Sequence, residues 1–183
     1  PDEHLLQTVL LRSMQQAVYS KENKGHFGLA YEAYTHFTSP IRRYPDLIVH
    51  RAIKEKLAGK KSSIKNISQI AMHCSGTERK ADDATRDVES WLKCYFMQDK
   101  VGKIFEGTVA GVTGFGLFVE LDDIYIEGLL HVTELGSDYF AYDKQKHAMV
   151  GERTSAQYRL GDRLKVKVVR VDLETSKIDF SLV

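Results

Sequence analysis

The sequence predicts an α + β chain in which a mainly helical part, residues 1–99, is followed by a five-stranded β-barrel over residues 100–183. Two observations carry this prediction. Up to residue 100, apolar residues recur every three or four positions, as on one face of a helix. From residue 101 onward they alternate with polar residues, and glycine and valine become frequent, which is typical of short strands. A chain of 183 residues can form two small domains with buried cores.

Three helices are expected in the first part. The first spans 4–19, because its apolar residues form one helical face. The second is expected to follow Ser39 and to end near Leu57, with a bend or a restart at Pro45. The third spans 67–96, and Gly76 is a candidate break in it, because glycine costs about 1 kcal/mol relative to alanine inside a helix.

The start of the second helix carries two adjacent arginines. Ser39 is a good N-cap residue, and Pro40 suits the first helical position. The free backbone N–H groups of such a helix start, together with the guanidinium groups of Arg42 and Arg43, would bind a phosphate group.

The second part is divided into short strands by glycines and turn residues. The expected strands are 102–112, 116–121, 124–131, 163–171 and 177–182. Five short strands in one small domain, with glycines at the bends, are typical of an OB-fold barrel.

Composition and charge exclude several classes of protein. No run of eighteen apolar residues could span a membrane, and the first residues lack the profile of a secretory signal. Cys74 and Cys94 are too few for a disulfide framework, so we expect reduced, partly buried thiols and a cytoplasmic protein. Because position 1 is not methionine and the chain stops abruptly at Val183, we expect a piece excised from a longer protein.

The net charge is +4 over residues 1–100 and −3 over residues 101–183. This division argues against a nonspecific polycation and favours a localised binding site. The densest basic stretch, between Lys54 and Lys65, is interpreted as a solvated helix end and loop, although it could also guide nucleic acid electrostatically.

Two phenylalanines of the predicted barrel are candidates for base stacking. Phe115 and Phe118 lie three positions apart around Gly116, which can bend the strand and let nucleic acid approach. Stacking of a base on an aromatic ring contributes about 1–3 kcal/mol. The alternative is that both rings are ordinary core residues of the barrel.

Two motifs stand around these rings: GTVAGVTGFGLFV over 107–119 and EGLLHV over 127–132. They resemble the RNA-binding repeat of the ribosomal protein S1 type. The resemblance implies that Phe115, Phe118 and His131 share one face of the barrel, where RNA bases stack. It also implies that Asp172 and Lys177 join this face, with Lys177 as a phosphate contact.

Four motifs in the first part are GHFGLA over 25–30, YTHFTSPIRRY over 34–44, DLIVHR over 46–51 and ATRDVESWL over 84–92. They resemble the closing part of the RNB catalytic domain of the ribonuclease II and ribonuclease R family. The resemblance implies a hydrolytic 3′-to-5′ exoribonuclease that threads single-stranded RNA and releases nucleoside monophosphates. It also implies that Arg42 is catalytic and neutralises charge on the scissile phosphoryl group. Arg43 is a weaker candidate, for a salt bridge or a contact with the RNA backbone.

Members of this family hold divalent metal, Mg²⁺, in clustered aspartates that lie earlier in the domain, and no such cluster precedes Gly25 here. Asp82 and Asp83 are better explained as part of a solvated helix face. We therefore expect a chain that binds single-stranded RNA and is inactive alone, and that self-associates because a truncated domain exposes apolar surface. The alternative function is a non-catalytic RNA-binding accessory module.

Overall fold

A computed structural model of the chain describes residues 7, 10–11, 13–144 and 146–183. Six positions of the first expected helix, 4–6, 8–9 and 12, lie outside these residues. The described part is helical as far as Ser13, and residues 14–20 are not helical, so the expectation that this helix reaches Tyr19 is wrong. At Tyr19, the backbone N–H donates to the Ser75 hydroxyl at 2.9 Å rather than to a helical carbonyl.

The chain divides into two compact units, one of which is Leu10–Ala84 while the other contains Thr85–Val183. Helix α1 spans Tyr44–Leu57, and helix α2 spans Ile67–Met97. Helix α1 ends where the sequence predicts. Helix α2 runs on through Gly76, so the expected break there does not occur.

The start of α1 differs from the prediction. Residues 40–42 form a turn, and the helix begins at Tyr44 with Pro45 in its first turn. A helix that began at Ser39 would need an N–H on Pro45 to reach the Ile41 carbonyl, and proline has no N–H and would clash with that carbonyl. Pro45 therefore marks the beginning of α1 rather than a bend within it.

The described part of Thr85–Val183 contains eight strands. They are β1 (Ile104–Thr113), β2 (Gly116–Leu121), β3 (Glu127–His131), β4 (Phe140–Asp143), β5 (Ala148–Gly151), β6 (Gln157–Arg159), β7 (Arg163–Asp172) and β8 (Lys177–Leu182). Five of them close a barrel in the order β1-β2-β3-β8-β7, and β3 and β8 are its parallel pair. These are the five strands that the sequence predicts, so the α + β class with its five-stranded barrel is confirmed.

Strands β4, β5 and β6 form a separate three-stranded antiparallel sheet between β3 and β7 in the chain. The sequence does not predict this sheet. Its strands are only 4, 4 and 3 residues long, which is too short for an alternating pattern to stand out.

The barrel interior is filled by side chains that alternate along the strands. Leu117, Val119 and Leu121 of β2 are fully buried, and Phe180 of β8 fills the space beside Gly128. A Cβ atom at Gly128 would lie 2.5 Å from the Phe180 ring, so this position requires glycine. The end of α2 contributes Cys94 and Met97 to the same core, and these helix residues therefore belong to the barrel unit.

Cys74 and Cys94 are both buried and free, as expected. Among the described residues, no helix combines the length and the apolar character needed to cross a membrane.

Candidate nucleic-acid interface

Phe115 lies in the turn between β1 and β2, and Phe118 lies in β2 itself. Phe115 is 51% exposed, and Phe118 is partly buried, whereas Leu117 and Val119 on either side of Phe118 are in the core. The rings of Phe115 and Phe118 are perpendicular, with centroids 5.9 Å apart. This is a favourable edge-to-face pair, and it leaves the face of at least one ring open to a ligand.

His131 lies at the same end of the β2–β3 pair as Phe115, because His131 is paired with Gly116 in the strand register. Gly116 has a φ of +156°, and a Cβ atom there would clash with the Leu130 carbonyl, so glycine allows the two strands to approach this closely. The His131 ring is exposed, and its Nδ1 lies 2.9 Å from the Thr133 hydroxyl. That contact orients the ring on the outer surface.

Asp172 and Lys177 lie at the hairpin between β7 and β8, where they are partners in the register. The Asp172 carboxylate accepts the N–H groups of Glu174 and Thr175 at 2.9 and 3.1 Å, and Arg170 donates to it at 2.8 Å. The hydrogen bond from Thr175 is the largest cause of a lowered pKa for this carboxyl. Asp172 therefore holds the turn, while Lys177 is exposed beside it.

Register connects this hairpin to the rings. Phe118 of β2 pairs with Leu129 of β3, and Leu129 pairs with Asp179 of β8. Asp179 in turn pairs with Arg170 of β7. Directly paired residues share one face of a sheet, and three strand spacings measure about 15 Å. Phe118 and Arg170 thus both face outward from the barrel, on the two strands that flank β1.

Arg170 was not identified from the sequence. A β-bulge between Val168 and Arg170 shifts the register of β7, so simple alternation does not reveal the face on which Arg170 lies. Its side chain is 67% exposed, and it is an additional cation at the edge of the candidate surface.

The two arginines of the other unit have different surroundings. Arg43 Nη2 donates to Asp46 Oδ2 at 2.9 Å, and Asp46 is fully buried. Burial opposes ionisation of Asp46, but the Ser39 N–H and the Arg43 guanidinium outweigh it and hold the pKa of this carboxyl below its usual value. Arg42 is exposed, and its guanidinium has no partner within the described part of the chain.

The expected phosphate-binding helix start is not formed at Ser39. The Ser39 N–H donates to Asp46 at 2.8 Å, and the N–H groups of Arg42 and Arg43 donate to the Ser39 carbonyl at 3.2 and 3.0 Å. These backbone donors are therefore occupied. The Arg42 guanidinium is the group left at this turn for an anion.

A polar cluster lies in the same unit. Tyr19 Oη is 2.5 Å from His36 Nδ1 and 3.5 Å from a Glu78 carboxylate oxygen. Burial, followed by the charge of Glu78, raises the pKa of Tyr19 to about 12, so the phenol remains neutral and serves as a hydrogen-bond partner.

Comparison with known proteins matches both units. A model of the RNB domain matches residues 1–59, and a model of the S1 RNA binding domain matches residues 98–182. Ribonuclease R of Escherichia coli strain K12 is 53% identical over 196 aligned residues, which cover 100% of this chain and 24% of that protein. Over its whole length, the chain is similar to ribonuclease R.

Other ribonuclease R proteins show the same similarity. Ribonuclease R of Vibrio cholerae is 52% identical and is likewise covered over 24% of its length. The solved structure of Mycoplasma genitalium RNase R in complex with ribose methylated single-stranded RNA has a TM-score of 0.93 and 30% sequence identity, covering 100% of this chain and 30% of that one. The chain thus spans about a quarter of the length of its curated ribonuclease R relatives.

The described residues offer no ligand set for the Mg²⁺ that the family resemblance implies. They contain no group of three or more His, Cys, Asp or Glu side chains that could hold a metal ion. Asp82 and Asp83 are exposed on α2. The residues of this described part therefore do not fit a Mg²⁺ site.

Proposed function

We propose that the barrel of this chain binds single-stranded RNA on the surface formed by Phe115, Phe118 and His131. The perpendicular ring pair, of which Phe115 is exposed, carries this proposal, because an aromatic ring outside a core gives bases a place to stack without reading their sequence. The RNase R of Mycoplasma genitalium has been solved in complex with ribose methylated single-stranded RNA, and that ligand of a relative supports the same substrate class here.

Each residue of this surface has a proposed task. Phe115 stacks a base on its open face, and Phe118 supports that ring from the side. His131 lies next to them and contacts the neighbouring nucleotide, while Lys177 contacts a phosphate group further along the surface. Asp172 acts indirectly, since its carboxylate holds the turn that precedes Lys177.

We propose further that the complete protein is a processive, Mg²⁺-dependent hydrolytic exoribonuclease that degrades RNA from its 3′ end to nucleoside 5′-monophosphates. The similarity to ribonuclease R and the match to the RNB domain support this activity. Mg²⁺ would supply an activated water and charge neutralisation, and its ligands are expected outside the described residues.

Arg42 has the catalytic role in this proposal. Its exposed guanidinium donates to the oxygens of the scissile phosphoryl group as negative charge develops there. The planar, bidentate fork of arginine suits this task better than a lysine ammonium. Arg43 is engaged with Asp46 and has at most an auxiliary contact with the RNA backbone.

Two further properties follow from this assignment. The separate chain should associate with itself, because Phe27, Ile41 and Leu57 are 91%, 98% and 82% exposed. A cytoplasmic location is proposed from Cys74 and Cys94, which are free thiols.

The alternative is a non-catalytic RNA-binding accessory module. The lack of a metal-ligand group within the described residues favours it. Arg42 has no partner among the described residues, and it lies in a turn that Asp46 holds in place. This arrangement argues for the nuclease, since an accessory module has no use for it.

The test uses 5′-labelled single-stranded RNA with Mg²⁺, analysed in parallel on native and denaturing gels. The chain should shift the RNA without cutting it. RNA that shortens from its 3′ end would mean that catalytic metal ligands lie within these 183 residues. RNA that is neither shifted nor cut would contradict the binding proposal.

A further inference from the structure

Two side chains of α1 hold the segment that leads to Arg42. Asp46 accepts the Ser39 N–H at 2.8 Å. His50 Nε2 lies 2.9 Å from the Phe37 carbonyl oxygen, and the two rings stack with centroids 4.3 Å apart. Asp46 and His50 are four residues apart and therefore lie on one face of the helix. Residues 37–39 are fixed against α1 before the chain turns.

The turn itself is closed on Asp46. Its Oδ2 atom receives both the Ser39 N–H and Arg43 Nη2, so the first and last residues of the turn meet at one oxygen. The N–H groups of Arg42 and Arg43 both return to the Ser39 carbonyl. Arg42 lies between these two attachments, and of the two arginines of this turn it is the one whose guanidinium has no partner among the described residues.

Burying the Asp46 carboxylate and its partner costs folding free energy. Asp46 is fully buried, and its Oδ1 atom and the Arg43 Nε atom have no hydrogen-bond partner among the described residues. Buried ion pairs of this kind can often be replaced by apolar residues without loss of stability. A role other than stability would explain why a buried carboxylate stands here.

We propose that Asp46 is a positioning residue for RNA cleavage: it fixes the Ser39–Arg43 turn so that Arg42, and not Arg43, is presented to the scissile phosphate. This inference rests on the proposed catalytic role of Arg42. A group that stabilises developing charge must be held within about 0.5 Å of its working place. Asp46 provides this because it binds the Ser39 backbone on one side of Arg42 and the Arg43 guanidinium on the other, so that Arg43 is not available for the phosphate.

The variant Asp46→Asn tests the proposal. The amide has nearly the same shape and still accepts the Ser39 N–H, but it lacks the charge that holds Arg43. A displacement of about 1 Å at a catalytic group costs about 100-fold in rate. In the complete protein that carries this chain, we expect single-turnover cleavage to slow by about 100-fold, while the Kd for RNA changes less than about threefold.

A double-mutant cycle distinguishes positioning from general damage. If Asp46 acts through Arg42, then Asp46→Asn has almost no further effect on the cleavage rate in an Arg42→Ala background. An equal loss in both backgrounds overturns the positioning role and leaves the role of Arg42 intact. If Arg42→Ala alone does not slow cleavage, the proposed function of Arg42 fails, and the inference fails with it.

Two more variants guard against misfolding. Arg43→Lys keeps the positive charge but loses the guanidinium fork, and it should give a smaller loss that is again absent in the Arg42→Ala background. Glu55→Gln is the matched control, because Glu55 is another α1 carboxylate that holds a loop, accepting the Ser63 N–H at 2.9 Å. It should leave cleavage unchanged, and a loss equal to that of Asp46→Asn would overturn the proposal.

Discussion

Replacement of Phe115 by alanine separates a stacking residue from a core residue. Phe115 is 51% exposed, and its ring forms an edge-to-face pair with Phe118 at 5.9 Å. Such a pair contributes about 0.5–1.5 kcal/mol to stability. Loss of a stacked base costs about 1–3 kcal/mol of binding free energy, which corresponds to an increase in Kd of about 5- to 150-fold. The RNA affinity should therefore fall by more than the stability of the barrel.

The assay is fluorescence anisotropy of a labelled single-stranded RNA at fixed salt, together with urea unfolding of the same preparation. Tyr139→Ala is the matched control, since Tyr139 is 70% exposed and lies outside the barrel strands. It should not change the Kd. If Phe115 were a core residue, Phe115→Ala would cost about 3–5 kcal/mol of stability and leave the RNA affinity of the folded fraction unchanged. That result would refute the stacking surface.

Three other perturbations test separate parts of the structure. Lys177→Gln should reduce the slope of log K against log salt by about 0.7, as expected for one phosphate contact to a single strand, whereas Lys60→Gln should leave the slope unchanged. An unchanged slope for Lys177→Gln would exclude the phosphate contact. Gly128→Ala should destabilise the barrel by about 1–3 kcal/mol in urea unfolding, because its Cβ would lie 2.5 Å from the Phe180 ring, whereas Gly76→Ala, with open space around it, should stabilise α2 by about 0.5–1 kcal/mol. Equal effects of the two glycine variants would contradict the packing described here. Hydrogen bonds from Thr154 lower the pKa of Asp138 from 3.8 to about 2. The ionised Asp138 carboxylate therefore stabilises the fold fully at a pH above its ordinary pKa, and this stabilisation is lost as the pH falls through about 2. The difference in urea midpoint between the wild type and Asp138→Asn should therefore shrink between pH 5 and pH 2, and a constant difference would disprove the linkage.

The barrel could be predicted from the sequence because its signals are local. Alternation and glycine positions mark each of the five strands, and Gly116 and Gly128 lie where strands or a core ring come close. The three-stranded sheet could not be predicted, since strands of three or four residues carry almost no periodicity. Its loops depend on Asp138, which accepts hydrogen bonds from Arg153 and Thr154 fifteen or more positions away.

The helix start shows how one residue overrides a local signal. The Ser39-Pro40 pair favours a helix that begins there. Such a helix would need a hydrogen bond from the N–H of residue 45 to the Ile41 carbonyl, and Pro45 has no N–H. The sequence identifies both arginines as candidates, and only the family resemblance ranks Arg42 above Arg43. Asp46, the partner of Arg43, is three residues further on. Only the folded turn reveals that this carboxylate is buried and forms an ion pair with Arg43. The roles of Arg42 and of the RNA-binding residues stay predictions.

The most direct measurement is the effect of Arg42→Ala on the complete protein, with single-turnover cleavage of single-stranded RNA and the Kd for the same RNA determined separately. Loss of one donor to developing charge costs about 100- to 1000-fold in rate. We expect a loss of that size in cleavage with the Kd nearly unchanged, since the barrel surface of Phe115, Phe118 and His131 is intact. Equal losses in cleavage and binding would mean that Arg42 anchors RNA, and unchanged cleavage would mean that the catalytic arginine is not at this turn.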